Sequence, residues 1–316
     1  MAEVDVLVVG AGVSGLTTAV CLAETGRRVT VRTATEPART TSAVAGALWM
    51  PYLVRPVDKV TAWGAATLTE LRTLADQPTT GVRRTNGVVL APTAIAPPAW
   101  TETVAAVPCP PADLPHGYEV GWRFGSVLVE MPIYLGYLAD RLRAAGGRIE
   151  PGLVTDLADA LTVAPLVVNC AGIGARELVP DPGLRPVRGQ VVVVENPGID
   201  EFVSEHPGAS PWLKYVLPHR DTVVLGGTAE PDRSDPTPDP SITARILADS
   251  VELVPALAGA PVLAERVGLR PARPEVRLAV EDRPAGRIIH NYGHGGGGVT
   301  LSWGCAREAA ELASGT

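Results

Sequence analysis

The chain has 316 residues, 46% of them hydrophobic and 19% charged, a balance that describes a folded globular protein and excludes a disordered one. That length suffices for one large or two moderate domains with a well-buried core. A net charge of -7 gives no electrostatic reason to bind nucleic acid or an acidic membrane, no apolar run is long enough to span a bilayer, and the four cysteines form no C-x-x-C pair that would suggest a metal or dithiol site.

The first element is an apolar strand, Val4 to Val9, followed at once by Gly10-Ala11-Gly12-Val13-Ser14-Gly15 and a helix-like stretch from Leu16 to Glu24. This is G-x-G-x-x-G between a strand and a helix. Gly10 permits the tight turn, Gly12 lets the backbone approach a pyrophosphate, and Gly15 lets the helix pack close to the strand. The phosphates would rest on the free N–H groups of the helix start. Gly26 ends the helix and Arg28 to Arg32 completes a βαβ unit, so an ADP-containing cofactor is expected here. An acid usually closes such a unit and takes the ribose hydroxyls. In Arg32-Thr33-Ala34-Thr35-Glu36 only Glu36 is acidic, a little far along the loop, and its plainer reading is a solvated loop residue. With no basic region and cleavage site ahead of the strand, the expected location is cytoplasmic.

Thr40 to Tyr52 is a small-residue stretch closing on an aromatic and a proline, suited to pass beside a flat ring. Residues 60 to 76 read as a helix, 86 to 91 as a strand, and Ala96 to His116 as a proline-rich surface loop. Val127 to Glu130 reads as a strand, and Pro132 fits the first turn of a helix reaching Ala145. The segments Arg148 to Glu150 and Leu153 to Asp156 lead to Leu166 to Gly172, another strand of the dinucleotide sheet. Strands follow at Gly189 to Val194, Leu213 to Pro218 and Thr222 to Gly227, the last two forming a hairpin about His219-Arg220-Asp221. Pro231 to Pro240 is acidic and proline-rich, an exposed loop, and Ser241 to Leu253 is a helix. Finally the strand Gly286 to Ile289 runs into His290-Asn291-Tyr292-Gly293-His294-Gly295-Gly296-Gly297-Gly298-Val299-Thr300 and a helix-like tail. Glycines there give backbone N–H groups access to a bound group. The alternation of elements predicts two interleaved domains.

Five motifs together carry a resemblance: the glycine fingerprint with Leu16, Ala47-Leu48-Trp49-Met50-Pro51-Tyr52, Val168-Asn169-Cys170-Ala171-Gly172, Gly268-Leu269-Arg270-Pro271-Ala272-Arg273-Pro274, and His290 through Gly296 continuing to Trp303-Gly304-Cys305-Ala306. In this order, and over nearly the whole chain, they resemble the D-amino acid oxidase family. The resemblance implies an α/β fold in which a FAD-binding Rossmann-like domain (residues 1–52, 134–180 and 262–316) is interleaved with a mixed-sheet α+β substrate domain (residues 53–133 and 181–261). It further implies non-covalent FAD, hydride transfer from the substrate α-carbon to the flavin, and reoxidation by O2 with release of H2O2. The imino acid then hydrolyses to a 2-oxo acid and ammonia.

A free amino acid needs a cation for its carboxylate, and arginine presents two parallel donors that match it. The resemblance gives that role to Arg270, a second bond to the carboxylate to the Tyr215 hydroxyl, and the substrate amine to the Gly296 carbonyl. Since the α-hydrogen would leave as hydride, no side chain need remove an α-proton, and His290 and His294 are expected to brace the loop. Toward the cofactor, Gly10, Ala11, Gly12, Val13 and Ser14 would face the pyrophosphate. Thr40, Thr41 and Ser42 would supply hydroxyls and amides, Ala47, Leu48 and Met50 would lie near the isoalloxazine, and Val154 and Ala171 would flank the adenosine. Gly295, Gly296, Gly297, Gly298, Val299 and Thr300 would wrap the flavin ring, near Arg270, with N–H groups and a helix start favouring negative charge on the reduced ring. No metal is implied.

Departures from the family pattern bear on substrate and closure. Pro211 stands where a second tyrosine is usual, Ala34 and Thr35 replace the acid and arginine after the second strand, and Ala171 replaces a hydroxyl residue. The chain ends Ser314-Gly315-Thr316, without a peroxisomal tripeptide, which fits a bacterial cytoplasmic enzyme. Relatives acting on acidic amino acids carry an arginine and a serine where this chain has Ala229 and Gly296, which favours neutral D-amino acids, although Lys214 or Arg220 could approach an acidic side chain. The alternatives are a D-aspartate oxidase, a glycine or sarcosine oxidase, a dehydrogenase that hands its electrons elsewhere, and a non-catalytic flavin-binding protein. Arg270 and Tyr215 together argue against the last, since a pure FAD binder needs neither. The expected partners are a D-amino acid and O2, without nucleic acid or membrane, and a homodimer is left open.

Overall fold

Residues 4–50, 54–208 and 212–315 are described by the computed structural model. Its strands are β1 (Val6–Val9), β2 (Val29–Thr33), β3 (Val82–Ala91), β4 (Val107–Pro108), β5 (Val120–Val129), β6 (Arg148–Pro151), β7 (Leu166–Asn169), β8 (Arg185–Glu195), β9 (Phe202–Glu205), β10 (Trp212–Pro218), β11 (Thr222–Thr228), β12 (Glu230–Pro231), β13 (Val262–Arg283) and β14 (Gly286–His294). The helices are α1 (Val13–Glu24), α2 (Thr41–Val44), α3 (Val57–Leu74), α4 (Trp100–Thr103), α5 (Met131–Ala144), α6 (Leu157–Val163), α7 (Ala175–Leu178), α8 (Pro240–Leu253) and α9 (Gly298–Ser314).

All these strands join one sheet, ordered β4-β5-β3-β9-β10-β11-β8-β13-β14-β7-β1-β2-β6, with β12 paired to β8. From β14 to β6 the pairing is parallel, as βαβ crossovers require. β1, β7 and the first residues of β2 are buried, which is why they read as unbroken apolar runs instead of alternating ones. The other end of the sheet is mostly antiparallel, and the hairpin about His219 to Asp221 forms there, closed by the His219 N–H donating to the Thr222 carbonyl at 2.7 Å. Among the described residues no helix is long and apolar enough to cross a membrane.

One strand the periodicity did not predict joins the two ends. β13 is 22 residues long, and two prolines and many charges in it argue against a central strand. It works because it changes partner. Up to Ala272 it pairs with β8, thereafter with β14, and the register shifts between Ala272 and Arg277, where Pro274 lies. Residue 262, an expected domain boundary, is thus the start of the strand common to both ends. Likewise α3, which begins just beyond the boundary expected at residue 53, lies against α9: a Cβ on Gly304 would be 2.3 Å from the Trp63 Cα, so only glycine lets the helices come this close.

Of the buried histidines, His219 and His294 show the larger shifts and are held as neutral rings. Burial, with Arg83 close by, pushes His219 down to about 4, and burial alone does the same to His294. Their folded values lie below the unfolded value near 6.5, so below that pH the unfolded chain binds more protons. Stability is therefore full above pH 6.5 and falls as the pH drops toward 4, by about 1.4 kcal/mol per pH unit for each ring. Denaturant titrations across this window should show a shallower slope for His219→Asn than for the parent; equal slopes would contradict this origin.

Candidate active site

A cleft of about 510 Å³ crosses the carboxyl ends of β1, β2 and β7 and continues to β8, β10 and β13. That volume falls in the range of small-molecule sites, roughly 300–1,000 Å³. Its position follows from topology, since the chain runs from β1 to β2 and on toward β6 on one side and then crosses to β7 on the other side of β1, opening a crevice at the reversal. Gly10 takes φ +103°, and a Cβ there would be 2.6 Å from the Cys170 carbonyl oxygen of the neighbouring strand end. At Gly15 a Cβ would be 1.9 Å from the Gly10 carbonyl oxygen, which is the close helix packing expected of the third glycine. Helix α1 has no acid in its first turn, so its N-terminal charge is left for a ligand.

All five residues from Gly10 to Ser14 line the cleft, as do Thr40, Thr41, Ser42, Val154 and Ala171. Ser42 already has a task, because its Oγ accepts the Val13 N–H at 3.0 Å and holds the loop over the helix start. Glu36 is exposed and does not line the cleft; Arg32 and Arg39 do. The cleft-lining residues at this end therefore include cations and no carboxylate.

The middle of the cleft is built from two segments that share hydrogen bonds. Ala47 takes φ +58°, an uncommon conformation for a residue with a Cβ, and it is held there because its carbonyl accepts the Val129 N–H at 3.0 Å and the following Trp49 N–H donates to Val127. Ala47, Leu48 and Met50 face the cleft, and Thr300 Oγ1 donates to the Met50 carbonyl at 3.0 Å. Gly295, Gly296, Gly298, Val299 and Thr300 line the opposite wall. Gly297 does not: it is buried against Val54 and Leu301, where a Cβ would be 2.9 Å from Val54 Cγ2. Pro51 and Tyr52 of the same motif lie outside the described residues.

The two histidines of the last strand have different roles. His290 braces it, with Nε2 2.9 Å from Glu281 and Nδ1 3.5 Å from the Asn169 amide. His294 does not brace through Nε2, which is buried without a hydrogen-bond partner among the described residues, as is Asn291 Oδ1. Both residues line the cleft. Unsatisfied buried polar atoms are costly, so each of these two calls for a partner that the described residues do not supply.

At the far end stand Arg270 and Tyr215, both half-buried. The Arg270 guanidinium lies across Gly189 of the adjacent strand: a Cβ there would be 2.2 Å from Nη1 and 2.5 Å from Cζ. Its Nη1 also donates to the Thr228 carbonyl at 2.8 Å. The Tyr215 ring lies over Gly226, where a Cβ would be 1.8 Å from Cζ, with the hydroxyl above Gly227. Gly189, Gly226 and Gly227 are thus a floor on which the two polar groups rest, and sequence reasoning assigned them no role. The signal was present, since a glycine inside a strand marks close approach of another group. Gly189→Ala should leave the fold intact, because the obstructed atom ends a flexible side chain, but displace the guanidinium. We expect binding of a simple carboxylate such as propanoate to weaken tenfold or more, read by ligand titration; unchanged affinity would show that the guanidinium's seat on Gly189 is immaterial.

Among the described residues lining the cleft, the only carboxylate is Glu205, which accepts the Tyr118 hydroxyl at 2.8 Å. Cys170 also lines it, its thiol pushed up to about 12 by burial and so uncharged at neutral pH. Among the described residues the arrangement offers anion-binding groups at both ends, a backbone-lined middle and, as a neutral nitrogen base, the buried His294 ring. Pro211, which stands in place of the second tyrosine, lies outside the described residues.

The family model described as FAD dependent oxidoreductase matches residues 5–312. A D-amino-acid oxidase of Rubrobacter xylanophilus is 49% identical over 312 residues, 97% of this chain and 95% of that protein. One of Streptomyces coelicolor is 50% identical over 313 residues, 98% and 97% of the two chains. Among solved structures, glycine oxidase from Geobacillus kaustophilus superposes with a TM-score of 0.84 at 20% identity, covering 100% of this chain and 96% of that one, a likeness of fold.

Proposed function

The chain belongs to the FAD-dependent oxidoreductase family, and on that premise we propose that it oxidatively deaminates neutral D-amino acids. The balance is D-amino acid, O2 and water to 2-oxo acid, ammonia and H2O2. FAD is the cofactor, and the cleft fits it: a glycine turn and open helix start for the pyrophosphate, a backbone-lined middle for a flat ring, and two unpaired buried polar atoms on the wall. Bound FAD supplies a two-electron acceptor for the hydrogen leaving the substrate α-carbon and returns those electrons to O2.

The protein's own groups bind and orient. Arg270 would take the substrate carboxylate in a two-point ion pair, aided by the Tyr215 hydroxyl, while the Gly296 carbonyl would accept from the amine. Three fixed points define which face of the α-carbon looks toward the middle of the cleft, and hence the stereochemical preference. A hydrogen leaving with its electron pair needs no base at carbon, which suits a cleft whose only carboxylate among the described residues, Glu205, is bonded to Tyr118 and whose His294 Nε2 is buried. Burial on the glycine floor removes water from the ion pair and strengthens it. The observation that carries the reading is the convergence of Arg270 and Tyr215 on adjoining strand glycines within the same cleft as the G-x-G-x-x-G turn. Ala229 and Gly296, both without a charged or hydroxyl side chain, support neutral substrates over acidic ones.

The test is to mix the purified holoprotein with D- and L-amino acids, following flavin bleaching without air and peroxide with air. Bleaching and peroxide with neutral D-amino acids are expected. No bleaching by any D-amino acid would refute the reading, preference for D-aspartate would refute the side-chain class, and bleaching without peroxide would indicate a dehydrogenase.

A further inference from the structure

Behind Arg270, on the other face of β8, lies a buried ion pair that neither the resemblance nor the cleft explains. The Arg188 side chain is 0% exposed. Its Nη1 donates to Glu230 Oε1 at 2.6 Å, Nη2 to Gln190 Oε1 at 3.0 Å and to the Thr237 carbonyl at 2.6 Å, and Nε to the Asp235 carbonyl at 2.8 Å. A charge buried this completely is retained only where each donor is used, and it costs several kcal/mol if its partner is removed.

The bonding leads back to the substrate end in two steps. Thr228 Oγ1 donates to the same Glu230 Oε1 at 3.0 Å and accepts the Gln190 N–H at 3.0 Å. Thr228 then presents its carbonyl to Arg270 Nη1 at 2.8 Å. Strand alternation explains the geometry. Arg188 and Gln190 face away from the cleft, and Gly189 between them carries the guanidinium of Arg270 on the cleft side. Gln190 also reaches the Asp239 carbonyl at 2.9 Å, so the segment from 231 to 240, read from sequence as a free exposed loop, is tied down at Asp235, Thr237 and Asp239.

We propose that Arg188 is a positioning residue for substrate recognition: through Glu230 and Thr228 it fixes the carbonyl that aims the Arg270 guanidinium. The inference rests on the reading of Arg270 as the carboxylate site. The two like charges stand on opposite faces of one strand, with Glu230 neutralising the hidden one so that the exposed one is left for substrate. Glu230 holds a low pKa although burial opposes it, because Arg188 and Thr228 donate to its charged form.

The experiment compares the holoenzyme with Arg188→Lys, Glu230→Gln and Thr228→Val. Propanoate binding is followed by the change in flavin absorption, FAD affinity by release of the chromophore, and KM and kcat are measured with a neutral D-amino acid. If Arg188 positions Arg270, the propanoate dissociation constant and KM rise together by about tenfold, while kcat and FAD affinity change less than twofold. Thr228→Val, which keeps volume and carbonyl but breaks the link to Glu230, should give part of the rise, and should add nothing when combined with Glu230→Gln. Folded variants with unchanged propanoate affinity would overturn the proposal. Should Arg188→Lys not fold, Thr228→Val decides alone. Propanoate titration needs no turnover, so a parent enzyme inactive on D-amino acids would refute the oxidase reading while this arm still judged Arg188.

Discussion

Replacing Arg270 with alanine should lower kcat/KM for a neutral D-amino acid by about a hundredfold to a thousandfold, mainly through KM, while the purified protein stays yellow. The reason is the seat of the side chain. Its guanidinium lies on Gly189 and lines the cleft, tied among the described residues by one hydrogen bond to the Thr228 carbonyl. A charge-assisted, two-point contact of this kind is worth about 3–4 kcal/mol when truncated, and each 1.4 kcal/mol is a factor of ten. Cofactor retention is expected because the pyrophosphate turn is built by other strands. Steady-state kinetics beside FAD content would check it. A colourless variant with normal KM after reconstitution would mean that Arg270 serves the cofactor and not the substrate.

Gly15→Val should abolish FAD binding at ordinary concentrations, raising its dissociation constant by at least a hundredfold. At this position a Cβ would lie 1.9 Å from the Gly10 carbonyl oxygen. That neighbour is backbone, so it cannot swing aside as a side chain would, and α1 must be pushed away from the turn it completes. Overpacking of this sort costs roughly 1–3 kcal/mol in stability, and the displaced helix start loses its alignment on the phosphates. Gly136→Ala is the control: it lies within α5, nothing stands within 4 Å of its Cβ, and it should bind FAD normally while gaining about 0.5–1 kcal/mol in stability. Equal FAD affinity in the two variants would contradict the packing argument.

The legible parts of the sequence were those where local pattern and tertiary role coincide. The apolar run before Gly10 is a buried parallel strand, and the stretch from Tyr134 to Ala145 carries a helix that begins at Met131. Strand β13 was not legible, because Pro271, Pro274 and its arginines speak against a central strand while its change of partner at Ala272 makes room for them. Spacing alone offers Glu36 as a ribose ligand; the loop carries it outside the cleft, which is lined instead by Arg32 of β2 and Arg39. The resemblance puts Gly297 with its neighbours around the flavin ring, yet the turn that starts α9 points it at Val54 and Leu301.

By itself the sequence determined the cofactor class and its place, since the turn after β1 needs glycines adjacent in the chain and such constraints are written in consecutive residues. It also marked Arg270 and Tyr215 through motifs. Only the tertiary structure decided what holds those two side chains. Gly189 lies far from Arg270 in sequence and Gly226 faces Tyr215 across a hairpin, each beneath its side chain in space, and Arg188 is linked to Arg270 through Glu230 and Thr228. Such relations depend on strand register, which here pairs residues from 27 positions apart (Thr222 with Glu195) to 87 (Ala272 with Arg185) and leaves no local trace in either segment.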